Sequence, residues 1–203
     1  MHKAPAFLLI LLLGFSVVLM AQDSSPDAET DWDNYSSELY VRGDQTFSIS
    51  LGVAFPTLFL NNGQFLSHNI DPPVGGSGFL VYNYYFGPRL FVGGEAGGFV
   101  LPTLANNTIY IVMLGGRVGT QFVYGRFEFP LSVSLGMSWQ NYLNLGYYGF
   151  YVRANAAAYF RVFNEWSFGL KAGWSWLPQW TNDSSKNVDG NFFDITISAR
   201  YHF

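Results

Sequence analysis

The sequence contains no cysteine, which excludes disulfides, thiolate chemistry and any cysteine-ligated metal. It is also poor in charge. Asp, Glu, Lys and Arg make up 12% of its 203 residues, against about 25% in an ordinary soluble domain. A soluble fold of this size needs a charged coat, and this chain cannot supply one. Histidine is scarce as well: His2, His68 and His202 are scattered, and with isolated carboxylates they give no metal-ligand spacing. No basic patch suggests nucleic acid. No cofactor is implied.

What is abundant is aromatic side chain, at 19%, and alternation. Residues 127–139 read FEFPLSVSLGMSW, with Phe127, Phe129, Leu131, Val133, Leu135, Met137 and Trp139 at every second position. Between them lie Glu128, Pro130, Ser132, Ser134, Gly136 and Ser138. Such a pattern is a strand with two unlike faces. It recurs eight times after residue 45, and nothing there reads as a helix. The column Trp166, Phe168, Leu170, Ala172, Trp174, Trp176 opposes Ser167, Gly169, Lys171, Gly173 and Ser175. The last column is Phe193, Ile195, Ile197, Ala199, Tyr201 and Phe203 against Asp194, Thr196, Ser198, Arg200 and His202.

Ahead of these strands, Met1-His2-Lys3, an apolar run from Phe7 to Val18 and a small Ala21 have the form of a secretory signal over residues 1–21. The apolar run is shorter than the ~20 residues of a spanning helix. Residues 22–44 are acidic, with Asp23, Asp27, Glu29, Asp31, Asp33, Glu38 and Asp44 against Arg42 alone. They read as a solvated periplasmic leader. From residue 45 onward seven acids face eight bases, close to neutral.

Alternation alone fits two folds. In a soluble sandwich or lipocalin-like barrel the apolar face is the core. In an outer-membrane barrel it faces lipid and the polar face fills the lumen. The polar columns here are Ser, Gly, Thr, Ala and Asn with single charges, which suits a crowded interior. Large aromatics gather at strand ends: Tyr110, Trp139, Trp174 and Trp176 at one end, Phe127 and Trp166 among those at the other. They are placed as two interfacial belts. Strands of about 9–13 residues match a tilted crossing, and in lipid the sheet must close on itself. The predicted fold is all-β: an eight-stranded antiparallel up-and-down transmembrane barrel over residues 45–203. Short connections at 87–89, 123–126 and 161–165 lie at one end with both termini, and longer ones at 55–77, 101–107, 140–146 and 177–190 at the other.

Residues 45–203 resemble the small eight-stranded outer-membrane proteins of Gram-negative-type bacteria, the OmpX, OmpW and OmpA-barrel group, without a motif that selects among them. The terminal column from Phe193 to Phe203 resembles the signal read by the barrel-assembly machinery. The resemblance implies an outer-membrane location with both termini periplasmic, lipid and the assembly machinery as partners, and a monomer. Some enzymes on this scaffold use a His, a Ser and an acid. Here His68 has Ser67 and Asp71 nearby but nothing arranges them as a triad, and no enzymatic activity is expected.

The inward faces carry seven charges: Glu95, Arg117, Glu128, Arg153, Lys171, Asp194 and Arg200. An eight-stranded barrel is just wide enough to be filled by its own side chains, so these charges must pair. Glu95 and Arg117 are expected together if their strands form a hairpin; Lys171 and Asp194 are a less secure pair. Two readings follow. The charges line a narrow passive conduit for small or hydrophobic solutes, or they form a salt-bridged plug in a structural or adhesin-like barrel that meets a surface ligand through its loops. The first long connection, with Phe55, Leu58, Phe59, Leu60, Phe65 and Leu66, either extends a hairpin, touches lipid or lines an entry for apolar compounds; OmpW-like proteins handle such compounds. The runs GGEAGG and GGRVG lie within strands and open no helix, so they are no phosphate loops. Pro130 lacks a ladder donor and predicts a bulge or broken pairing near a turn.

Overall fold

The computed structural model describes residues 40–61, 64–65, 73–103, 107–142, 145–180 and 187–203. The signal segment, most of the acidic leader, Leu66, Ser67, His68 and Asp71 fall outside the described residues.

The strands are β1 (Gln45–Asn61), β2 (Gln64–Phe65), β3 (Gly75–Tyr85), β4 (Leu90–Thr103), β5 (Asn107–Tyr124), β6 (Phe127–Tyr142), β7 (Leu145–Arg161), β8 (Trp166–Gln179) and β9 (Val188–His202). Each long strand pairs antiparallel with its neighbour, and β9 returns to β1 from Thr46↔His202 to Leu60↔Asp189, closing an eight-stranded barrel. β2 is a two-residue spur on the end of β1. Among the described residues closure gives each long strand a partner on both sides, which is the condition for residence in lipid.

The question of which face is wet is answered along β6. Leu131, Val133, Leu135 and Met137 lie on the outside, with Met137 69% exposed, while Ser132, Ser134 and Ser138 are buried inside. The same inversion runs around the barrel, with Leu51, Leu80, Val100, Leu114, Leu170 and Ile197 all exposed. An apolar surface of this extent is stable only against hydrocarbon.

The strands run further than the alternation suggested. β5 has 18 residues and β1 and β7 have 17 each. Two of the expected long connections are therefore mostly strand: Thr103 pairs with Asn107, and Tyr142 with Leu145. Backbone pairing at that end continues through residues that sequence patterning assigned to loops. At the opposite end the β5–β6 hairpin turns through Gly125 and Arg126, and Gly125 takes the left-handed φ of 55° that so tight a turn demands.

Two irregularities matter. On β1 the register with β9 shifts between Pro56 and Leu58. This bulge inverts the alternation beyond it, so that Phe59 packs on the inner cluster and meets Phe192 edge-on at 5.5 Å. On β6 Pro130 pairs with Gln121 of β5, but the ladder to β7 skips from Glu128↔Tyr159 to Leu131↔Ala156 without a change of register. Pro130 interrupts pairing and makes no bulge.

Candidate functional site in the barrel lumen

Inward-pointing side chains fill the barrel in three layers. The layer far from the termini is apolar: Phe79 and Val81 of β3, Phe99 and Leu101 of β4, Ile111 and Met113 of β5, with Ala54, Tyr151, Leu177 and Phe192. Phe99 lies 5.7 Å from Phe79 and 5.6 Å from Phe192, centroid to centroid. Sequence patterning read the inner faces as mainly small and polar and did not predict this layer. The signal was present in GFLVYNYYF, which is apolar on both faces.

The middle layer is built on Arg153. Its guanidinium donates to both oxygens of Asp194 at 2.9 and 2.8 Å and lies 3.1 Å from Glu95, so one cation from β7 joins carboxylates on β4 and β9. It is 0% exposed and rests 3.5 Å over the Phe79 ring, which gives it a cation–π contact on the apolar layer. Lys171 and Arg117 complete the group, 3.4 and 3.8 Å from Glu95. Glu95 and Arg117 meet as expected. Lys171 does not pair directly with Asp194: Arg153 occupies Asp194, and Lys171 turns to Glu95. Gly173 makes room for this, since a Cβ there would fall 2.5 Å from Arg153 Nη2 and 2.6 Å from Asp194 Oδ1.

The layer nearest the termini reverses the sign and gathers cations round a carboxylate. Glu128 accepts from Arg161 Nε at 2.8 Å, Tyr40 Oη at 2.7 Å and Arg200 Nη1 at 3.2 Å. Gln121 links this group to Tyr85, whose hydroxyl donates to its amide oxygen at 2.5 Å. Tyr40 belongs to the stretch before β1. The Val41–Asp44 turn, with Gly43 at a left-handed φ of 108°, folds it back: Asp44 N donates to Val41 O, and Gly43 N donates to Tyr85 O at 3.0 Å. The Tyr40 ring then stacks on Tyr85 at 4.1 Å. Burial, together with Tyr85 and Glu128, raises the Tyr40 phenol well above its ordinary range, so it stays a donor.

Three members of this layer lay outside the expected lumen set. Arg161 was assigned to a turn, yet it is the last residue of β7 and keeps the inward parity of Arg153 and Asn155. His202 keeps the parity of Asp194 and Arg200 and lies 2.9 Å from Arg161 Nη2. Parity already put His202 on the inner face and would have found Arg161. Nothing in the sequence singled out Tyr40.

Ser167, His202 and Glu128 converge in a way that invites comparison with a catalytic triad. The hydrogen bonds run in the wrong sense. Arginine has no acceptor, so the Arg161 contact makes His202 Nδ1 the acceptor. Nε2–H then donates to Ser167 Oγ at 2.8 Å, and Ser167 donates onward to Glu128 at 3.3 Å. A general base must instead accept from its serine and be oriented by the acid through its other nitrogen. Ser167 is also fully buried. The group is a hydrogen-bonded strut.

On the outside, Tyr110, Trp139, Trp174, Phe127 and Trp166 are exposed and Trp176 is half-buried. Trp166 packs on Tyr201, and Tyr201 on Phe203, with centroids 5.0 and 4.9 Å apart. The column Phe193, Ile195, Ile197, Ala199, Tyr201, Phe203 lies on this outer face. Among the described residues there is no group of His, Asp and Glu able to hold a metal.

A protein-family model matches residues 24–201. An uncharacterized protein of Treponema pallidum (strain Nichols) is 28% identical over 131 residues, 64% of this chain and 60% of its own length. A second from the same organism is 34% identical over 91 residues, 41% of this chain and 31% of its own. The chain thus spans less than two thirds of the curated relatives it matches. Among solved structures, Neisserial surface protein A superposes with a TM-score of 0.58 at 7% identity, over 79% of this chain and 97% of that one. This likeness concerns fold. The chain belongs to the family whose model spans residues 24–201, and by fold it is a small eight-stranded outer-membrane β-barrel protein.

Proposed function

We propose that this protein is a sealed outer-membrane barrel, its termini on the periplasmic side, which acts through the surface at its far end. The observation that carries the reading is the filled lumen. Among the described residues an apolar layer, a ring of paired charges and a tyrosine-capped polar layer follow one another, and the space lined by Arg117, Lys171 and Arg200 between the two charged layers is about 10 Å³, room for one water. A conduit for small or hydrophobic solutes would require at least the apolar and the Arg153 layers to move together, against buried ion pairs whose disruption costs several kcal/mol. The seven lumen charges then act as a structural plug.

The far end offers more apolar surface than a crossing needs. Phe65, Tyr148 and Trp180 are 77%, 72% and 58% exposed. Tyr147 holds the Trp180 backbone through its hydroxyl at 2.6 Å. Such a rim suits contact with another surface molecule. The outer aromatics serve as interfacial anchors, the terminal column as the assembly signal, and the barrel works as a monomer without catalytic chemistry.

The test is solute entry into vesicles carrying the refolded chain. Uptake of a small sugar and of an apolar dye should match protein-free vesicles. Uptake above that level, lost when Glu95 and Arg117 are made neutral, would return the conduit reading.

A further inference from the structure

The two charged layers do not balance. Among the described residues, five buried cations (Arg117, Arg153, Arg161, Lys171 and Arg200) face three buried carboxylates (Glu95, Glu128 and Asp194). His202 adds no negative charge. The excess is two positive charges with the Lys171 amine protonated and one with it neutral, and either is costly in a narrow, water-poor lumen unless something neutralises it.

The cavity between the layers is where that excess concentrates. Arg117 and Lys171 from the middle layer and Arg200 from the lower one line it, beside Ser48, Asn155 and Tyr159, and no carboxylate does. Its walls also hold orphaned polar groups. Arg117 Nε and Arg200 Nε are buried without a hydrogen-bond partner, as are Ser48 Oγ and Asn155 Oδ1. Arg117 is occupied elsewhere through Nη2, which donates to Ser132, and Arg200 through Nη1, which reaches Gln121 and Glu128. Their Nε–H groups remain free. Native proteins seldom leave such donors empty.

We infer that this cavity is a binding site for one small inorganic anion of chloride size, held by Arg117, Arg200 and Lys171 with the Ser48 hydroxyl as a neutral donor. The space of about 10 Å³ is water-sized, so a halide enters with slight outward movement of the flexible side chains. Larger oxyanions are excluded. A water alone would satisfy Asn155 Oδ1 and one Nε–H but would leave the charge excess in place. The side-chain amide of Asn155 holds Ser134 only at 3.4 Å, and a flip of the amide would turn its NH₂ toward an anion. The site does not depend on whether the barrel conducts.

The experiment uses the full chain refolded in vesicles and in crystals. At matched ionic strength, which equalises general screening, the temperature at which the folded form is lost is measured in sodium chloride, sodium bromide and sodium gluconate. Chloride and bromide should raise it by a few degrees over gluconate, which is too large to enter. Crystals grown in bromide should show an anomalous peak between Arg117 and Arg200. Ala157→Val, which narrows the cavity wall, should abolish the halide effect. Equal midpoints in all three salts, or a lumen peak of water strength with no anomalous signal, would overturn the site. The bromide result decides even if Ala157→Val does not fold.

Discussion

The Arg153 and Glu128 clusters solve one problem with opposite signs. In the middle of the barrel a single cation joins two carboxylates and lies flat on Phe79. Near the termini a single carboxylate gathers two arginines and a tyrosine. The first is made entirely from strand residues, so its geometry is locked once the barrel closes. The second borrows Tyr40 from the segment before β1 and lies at the mouth, where Arg161 and His202 remain slightly open to water. Depth therefore decides how much each pair matters: the deeper the charge, the less water can replace a lost partner.

The most severe way to break the deeper cluster is Arg153→Ala, which leaves Asp194 without its cation and takes one of three from Glu95. It should cost about 3–5 kcal/mol in urea unfolding from vesicles, followed by tryptophan fluorescence. Converting Arg153→Met along with Asp194→Asn should recover most of that loss, since Glu95 keeps Lys171 and Arg117. A single-variant cost below ~1 kcal/mol would mean that the cluster is not desolvated. Glu128→Gln is the matching cut in the outer cluster and should cost less, roughly 2–3 kcal/mol, because water reaches Arg161, one of the two arginines it leaves behind. If it proved the costlier of the two, the ranking by depth would fail. Gly173→Ala tests the packing of the deep cluster without removing a charge. Its methyl meets Arg153 and Asp194, and overpacking of this kind costs about 1–3 kcal/mol; a neutral outcome would show that the pair shifts freely. The smallest effect belongs to Tyr40→Phe, which keeps the stack on Tyr85 and removes one hydrogen bond to Glu128, at about 0.5–1.5 kcal/mol. That variant should open the mouth no further, as read by protease access to the segment before β1.

The two clusters were unequally legible in the sequence, for a physical reason. Strict period-2 alternation identified every member of the Arg153 cluster, because Glu95, Arg117, Arg153, Lys171 and Asp194 lie well inside strands where parity is unbroken. Partner choice was less legible: Lys171 and Asp194 are on adjacent strands, yet Arg153 intervenes from β7, and parity carries no information on side-chain reach. The Glu128 cluster gathers residues at strand ends. Arg161 lies one position past the expected end of its strand, His202 was placed on the inner face but not counted among its charges, and Tyr40 arrives by way of the Gly43 turn. The apolar layer escaped because Phe99, Leu101, Ile111 and Met113 lie at one end of inner faces that are small or polar elsewhere, and only Phe59, packed against it, has a cause in parity. Phe59 points inward only because the bulge at Pro56–Leu58 flips its strand's parity, and bulges leave little trace in composition. Barrel closure and the lipid-facing columns were legible because hydrocarbon imposes them on every strand at once.

The claim on which the rest turns is that the three layers close the lumen. The direct measurement is ion conductance of the refolded full chain in a planar bilayer, with Tyr40→Ala as the companion variant, since ions are the smallest solutes a leak would admit. Neither form should show steady conductance, because the Arg153 and Phe99 layers remain in place when the tyrosine is removed. Sustained conductance from the unaltered chain would contradict closure of the lumen.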